Sequence, residues 1–98
     1  MKRNIDIIIC TNKKLVVLEK LIHQIFSQKG NFSIKVIIIH QSSSIILLPN
    51  FLKDKNIIYK NIKKNNLSAA KNVGLKLTNS DHITFLDDDV LINNNYFL

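Results

Sequence analysis

The fold is decided by a run of β-branched residues near the start of the chain, IDIIIC (residues 5–10). A second run of the same kind is IKVIIIH (residues 34–40). Both runs show little alternation, and this pattern is typical of strands covered on both faces, as in the parallel sheet of an α/β protein. NIIYK (residues 56–60) and HITFLD (residues 82–87) are shorter candidates. The sequence therefore predicts a sheet of about four strands.

Two segments between these strands have the spacing of amphipathic helices. In the first, apolar residues recur at intervals of three and four and would line one face: Leu15, Leu18, Ile22 and Ile25. Gly30 then follows as a predicted helix stop. In the second, Ser68 is placed as an N-cap, and the inward stripe is Ala70, Val73 and Leu77.

The segment between the second and third strands is irregular, because Pro49 would interrupt a helix there. We interpret it as a loop with a short helical turn. The element order is then β-α-β-(irregular)-β-α-β, which predicts a doubly wound α/β fold with a mostly parallel sheet. With 98 residues and no linker, the chain is expected to form a single domain over residues 1–98.

Composition narrows the functional classes. No apolar run approaches the ~20 residues of a membrane span, and the N-terminus lacks the features of a signal peptide, so we expect a soluble, cytoplasmic protein. Cys10 is the only cysteine, which excludes an internal disulfide and a zinc site built from paired cysteines.

The formal net charge is +7, which raises the question of nucleic-acid binding. The lysines are spread along the chain, and lysine, isoleucine and asparagine share A/T-rich codons, so much of this charge is attributable to base composition. We therefore expect no nucleic-acid partner. A basic surface still suits phosphate-bearing ligands or peripheral association with an anionic membrane face.

Three consecutive aspartates, residues 87–89, follow the fourth predicted strand. Ligands of doubly wound sheets bind at the carboxyl ends of the strands, and this is where the aspartates fall. If the chain stays extended, Asp87 and Asp89 face one side, with α-carbons about 6.6 Å apart, while Asp88 points away. Carboxylate oxygens suit Mg²⁺ or Mn²⁺. The alternative is a solvated turn that caps a following helix.

The order IDIIICTN, IKVIIIHQSS and LSAAKNVGLKLTNSDHITFLDDDV resembles the family 2 glycosyltransferases of GT-A fold. In that family a helix with an Ala-Arg-Asn-x-Gly signature precedes a strand ending in Asp-x-Asp. Here the signature reads Ala70-Lys71-Asn72-Val73-Gly74, and Asp-x-Asp falls on Asp87 and Asp89. The resemblance implies a Rossmann-like half-domain, the N-terminal, nucleotide-sugar-binding part of the family's catalytic domain.

The resemblance also implies site residues. The donor nucleotide would contact Thr11, Asn12, Gln41, Lys71 and Asp87, and a Mn²⁺ or Mg²⁺ ion would be held by Asp87 and Asp89. Where the family has Asp-x-Ser at the end of its second strand, this chain has His40-Gln41-Ser42. The family's catalytic base lies further along the chain, so the catalytic residue is unknown.

Some residues have two interpretations. His40 either contacts a ligand or is structural, and Gly74 either belongs to the donor site or lets its helix approach the sheet.

The hypothesis is a glycosyltransferase, or a fragment of one, that transfers a sugar from a nucleoside diphosphate donor to a hydroxyl of a saccharide or lipid-linked acceptor. The alternative is a non-catalytic α/β module that binds a nucleotide sugar or assists a partner enzyme. The oligomeric state is left open.

Overall fold

The computed structural model describes residues 3–12, 14–28, 30, 32–42, 49–63, 67–80 and 82–88. The four strands are β1 (Arg3–Thr11), β2 (Phe32–Gln41), β3 (Ile57–Ile62) and β4 (His82–Leu86). A 3₁₀ helix (Leu15–Leu18) leads into helix α1 (Glu19–Phe26), a second 3₁₀ helix (Asn50–Lys53) precedes β3, and helix α2 (Leu67–Lys76) precedes β4.

The four strands form one sheet in the order β3-β2-β1-β4. Every pair is parallel: β1 with β2, β1 with β4, and β2 with β3. The predicted α/β fold with helices flanking a parallel sheet is confirmed. β1 and β2 are the inner strands. They carry the two longest apolar runs, as expected for strands that are covered on both faces and paired along both edges.

Each face of the sheet has its own apolar layer. On the α1 face, Ile7, Ile9 and Ile38 pack with the buried residues of α1. On the α2 face, Ile8 and Ile37 pack with Ile39 and Ala70. Successive residues of a strand point to opposite faces, so the uninterrupted isoleucine runs supply both layers at once.

The first helical segment follows the predicted apolar face. Leu15, Leu18, Ile22 and Ile25 are all buried, although the segment begins as a 3₁₀ helix. α1 itself ends at Phe26, and Gly30 adopts a φ of 137°, which favours glycine. The irregular segment contains the expected helical turn at Asn50–Lys53, and its residues 43–48 lie outside the described part of the chain.

Two details of the second helix were predicted wrongly. Ser68 lies inside α2 and is not its N-cap, because the helix already includes Leu67. Leu77 comes after the last helical residue, Lys76, and so leaves the inward stripe, with 36% of its surface exposed. Ala70 is fully buried and Val73 packs against the same layer, as expected.

Gly74 brings α2 close to β1. A Cβ atom at this position would lie 2.7 Å from Cγ2 of Ile8, which is itself fully buried. Real Cβ atoms do not approach other carbons this closely, so the packing interpretation of Gly74 is supported.

A buried carboxylate lies at the amino-terminal edge of the sheet. Asp6 is 1% exposed and accepts hydrogen bonds from the Ser80 hydroxyl (2.6 Å) and the backbone N–H of Asn79 (3.2 Å). The ammonium group of Lys35 lies 3.6 Å from the same carboxylate. Asp6 thereby ties the loop after α2 to the central strands.

Among the described residues, no helix combines the length and apolar character that a membrane crossing requires.

We predict that Gly74→Ala destabilises the protein by up to about 2 kcal/mol. Overpacking against Ile8 typically costs ~1–3 kcal/mol. Alanine is a better helix former than glycine by ~1 kcal/mol, which offsets part of that cost. Urea unfolding measures the difference. In an Ile8→Ala background the added methyl group has room, so Gly74→Ala should become neutral or stabilising. An equal cost in both backgrounds would contradict the assigned contact.

We predict that Asp6→Ala lowers the free energy of unfolding by about 3 kcal/mol, because it leaves two hydrogen-bond donors and a nearby ammonium group without the buried carboxylate that they contact. Urea unfolding is again the measurement. Glu19→Ala is the matched control, since it removes the same charge from an exposed side chain and should cost less than about 0.5 kcal/mol. Similar losses for the two variants would refute a special role for Asp6.

Candidate functional site

Polar residues form a row across the carboxyl-terminal edge of the sheet. Thr11 of β1 is in register with His40 of β2, and His40 is in register with Asn61 of β3. On the other side, Ile9 of β1 pairs with Leu86 of β4. Two residues beyond this pair, towards the carboxyl ends of both strands, Thr11 lies beside Asp88. The sheet thus brings together four side chains that are far apart in the sequence.

Thr11 and Asp88 are joined directly. The Thr11 hydroxyl lies 2.7 Å from Oδ2 of Asp88, and because an ionised carboxylate can only accept, Thr11 is the donor. Thr11 is 2% exposed and Asp88 is half-buried. A short hydrogen bond to a charged acceptor belongs to the stronger class of such bonds. The end of β1 therefore holds Asp88, the second of the three consecutive aspartates (residues 87–89, called the acidic segment below), against the sheet.

The geometry of this segment differs from the extended arrangement considered for the sequence. β4 ends at Leu86 and Asp88 lies in a turn, so strict alternation of side chains does not continue past the strand. Asp88, expected to point away, instead contacts Thr11, while Asp87 is exposed. Asp89, the other predicted metal ligand, lies outside the described residues.

The neighbouring positions of the row form a second polar group. His40 is 1% exposed, and its Nδ1 atom lies 2.8 Å from the Tyr59 hydroxyl. The side-chain amide of Asn61 lies 3.4 Å from the same hydroxyl, with its nitrogen as the donor. The buried histidine is thus bound to a tyrosine of β3, which supports the structural interpretation of His40.

Two other predicted donor-site residues belong to the opposite face. Gln41 follows His40 in β2 and so points to the α2 face, where it is half-buried. The ammonium group of Lys71 in α2 lies 5.4 Å from the ring centroid of Phe85 in β4. Burial raises the pKa of the Cys10 thiol, and the positive charge of Lys71 opposes this shift. Lys71 therefore lies near the end of β1, on the other side of the sheet from the Thr11 hydroxyl.

Asn12 follows β1 directly and is exposed. Thr11, Asn12, Gln41, Asp87 and Asp88 thus share one edge of the sheet, although Thr11 and Gln41 point to opposite faces.

The described carboxylates suit a hard divalent cation. Mg²⁺ is typically held by one or two carboxylates together with substrate phosphates, and Asp87 and Asp88 supply oxygen donors at this edge. The part of the chain that the structure describes contains no group of three or more histidine, cysteine or acidic side chains able to hold a metal.

Sequence reasoning missed the roles of Asp88 and Tyr59. Asp88 was set aside because alternation was assumed to continue beyond the strand. No role was assigned to Tyr59. Both contacts follow from the strand order, which puts Thr11 of β1 beside Asp88 and His40 of β2 beside β3, and no single segment of the sequence specifies that order.

Comparison with known proteins bears on the identity of this fold. The chain resembles the crystal structure of S. aureus TarS 1-349 with a TM-score of 0.75 and 20% identity, over 96% of this chain and 29% of that one. It resembles a further crystal structure of S. aureus TarS with a TM-score of 0.72 and 23% identity, over 97% of this chain and 18% of that one. The chain thus spans less than a third of either TarS chain.

No curated protein sequence matches the chain. The sequence model of the family described as Glycosyl transferase family 2 matches residues 6–98. This match covers β1 from Asp6 onward, all of β2, the helix with the Ala-Lys-Asn-Val-Gly signature and the three consecutive aspartates. The chain belongs to glycosyl transferase family 2, and its parallel α/β sheet is the N-terminal part of a GT-A fold.

Proposed function

We propose that this chain forms the donor-binding part of a glycosyltransferase, and that it binds a nucleoside diphosphate sugar at the carboxyl edge of its sheet. The observation that carries the proposal is the Thr11–Asp88 hydrogen bond, which holds the acidic segment beside the end of the central strand. Ligands of open α/β sheets bind at this edge, and the family's chemistry requires a diphosphate to be bound.

The divalent ion in this proposal is Mn²⁺ or Mg²⁺, with Asp87 and Asp89 as its protein ligands. Bound there, it would neutralise the negative charge that develops on the departing diphosphate. Asp87 is exposed, so its oxygens are accessible to an ion that arrives with the nucleotide. A cation also relieves the repulsion among three consecutive carboxylates.

The remaining contacts would come from residues around the same edge. Asn12 and Gln41 offer amide groups to the nucleoside, and Gln41 can pair with a base edge through both its donor and its acceptor. Lys71 contributes positive charge on the α2 face near Cys10, which suits a diphosphate. As a point charge it lacks the bidentate geometry of arginine, so its contribution is electrostatic attraction.

The reaction would replace the bond between the anomeric carbon and the diphosphate oxygen by a bond to an acceptor hydroxyl, on a saccharide or a lipid-linked acceptor. The hydroxyl proton must pass to a base, and we assign no residue of this chain to that role. What these residues would do is hold the diphosphate and orient the nucleoside. Electrostatic stabilisation of this kind is commonly the largest contribution to catalysis.

We predict that the chain binds UDP or GDP in the presence of Mn²⁺, and that Asp87→Ala and Asp89→Ala each weaken this binding at least about tenfold, because a metal ligand is lost. Isothermal titration calorimetry gives the affinities. Adding EDTA in place of Mn²⁺ should weaken nucleotide binding by a similar factor.

Asp54→Ala is the charge-matched control for these variants, because Asp54 follows the 3₁₀ helix before β3 and is exposed. Its affinity should match that of the wild type. Equal binding by the wild type and by both variants of the acidic segment would remove the metal assignment.

We predict that Lys71→Gln weakens binding of the Mn²⁺–nucleotide complex by about tenfold, since a cation beside a phosphate contributes a charge-assisted interaction. Lys76→Gln removes the same charge from the last turn of the same helix and should leave the affinity unchanged. Calorimetry at two salt concentrations checks both variants. If the two substitutions weaken binding equally, only general electrostatic attraction is involved and Lys71 has no specific role.

A further inference from the structure

The contact between Thr11 and Asp88 limits what the threonine can offer a ligand. A hydroxyl has a single hydrogen to donate, and the Thr11 hydrogen is directed to Oδ2 of Asp88 at 2.7 Å. While that bond exists, Thr11 cannot donate to a nucleotide. What its hydroxyl hydrogen contributes to the site therefore comes through the carboxylate that it holds.

The position of Asp88 makes this hydrogen bond important for the geometry of the site. It directly follows Asp87, so fixing its carboxylate against β1 restrains the backbone that carries the exposed Asp87 side chain. Three adjacent like charges would otherwise move apart into solvent, since each pair repels. The restraint opposes that separation before any cation binds.

The chemical nature of the partner is also significant. Asp6, at the opposite edge of the sheet, is held by two donors and faces the ammonium group of Lys35. Asp88 accepts a hydrogen bond from the neutral hydroxyl of Thr11. A lysine or arginine at position 11 would compete with an incoming cation, whereas a threonine hydroxyl holds the carboxylate without adding a positive charge.

We infer that Thr11 is a positioning residue that acts through Asp88, and that its hydrogen bond sets the geometry of the acidic segment for a divalent cation bound with a nucleoside diphosphate. This inference rests on the function proposed above. It assigns Thr11 a role different from direct contact with the donor.

The structure also explains why a threonine suits this position. Thr11 is the last residue of β1 and is 2% exposed, so its backbone is fixed by pairing with β2 and its side chain by burial. A β-branched side chain has few χ1 rotamers, and this directs the hydroxyl with little loss of entropy. The carboxylate is consequently held by a group that is itself rigid.

The test uses the 98-residue chain with Mn²⁺ and UDP as the probe, and repeats the titration with GDP. Thr11→Val keeps the branched shape and removes the donor, and it should weaken binding of the Mn²⁺–UDP complex about tenfold. Thr11→Ser restores the hydroxyl and should return the affinity to within about threefold of the wild type. Thr84→Val makes the same substitution in β4 and should leave the affinity unchanged.

A double-mutant cycle separates positioning from a general loss of stability. If Thr11 acts through Asp88, Thr11→Val should have no further effect on Mn²⁺–UDP affinity once Asp88→Ala is present. The electron paramagnetic resonance spectrum of bound Mn²⁺ provides a second readout. A less ordered site gives a wider distribution of zero-field splittings, so the Mn²⁺ lines should broaden in Thr11→Val and narrow again in Thr11→Ser. Unfolding midpoints measured for every variant show which of them remain folded at the temperature of titration.

The outcomes discriminate between the two proposals. If Asp87→Ala abolishes binding while Thr11→Val binds as the wild type does, the positioning role is refuted and the proposed function stands. If the effects of Thr11→Val and Asp88→Ala are additive, Thr11 acts independently of Asp88 and the inference is equally refuted. If the wild-type chain binds neither nucleotide with Mn²⁺, the proposed function falls and the positioning role falls with it. Should Thr11→Val fail to fold, the Thr11→Ser and Asp88→Ala variants decide: the inference requires the first to bind and the second to weaken binding.

Discussion

The structure depends on the burial of β1 between two neighbouring strands and two apolar layers. Its isoleucines contribute to the α1 layer and the α2 layer in alternation, and its backbone pairs with β2 on one side and β4 on the other. A one-residue change of register would move each of these side chains to the wrong layer. The register is therefore strongly specified, and with it the residues that meet at each edge of the sheet.

The two edges of the sheet use carboxylates in different ways. At the amino edge, Asp6 is surrounded by donors and an ammonium group, so its charge is satisfied within the protein. At the carboxyl edge, Asp88 accepts a hydrogen bond from the neutral hydroxyl of Thr11 and follows the exposed Asp87. The first arrangement stabilises the loop after α2. The second lies next to the exposed Asp87, at the edge where we propose that a nucleoside diphosphate binds.

Much of the fold could be predicted from local pattern, because continuous β-branched runs and three- and four-residue apolar spacing are direct consequences of burial. The strand order could not, since it depends on which strands pack together after collapse and not on any one segment. That is why the contact between Thr11 and Asp88 was missed. The helix ends were also misplaced at Ser68 and Leu77, where neither residue type alone determines a boundary. The sequence pattern predicted that the acidic residues follow the fourth strand, and in the structure Asp87 and Asp88 directly follow β4. The hydrogen bond that joins Asp88 to β1 became apparent only from the three-dimensional arrangement.

The pairing of β1 with β4 has a consequence for the order of folding. Arg3 pairs with Phe32, so β1 and β2 can associate as soon as the intervening helix has formed. The partner of Ile5 in β4 is His82, which lies much further along the chain. Contacts at such large sequence separation close slowly, because the entropy of a long loop must be lost first. On a ribosome, the edge of β1 that pairs with β4 would stay unpaired until residues 82–86 had been synthesised, and the contact between Thr11 and Asp88 could form only after that.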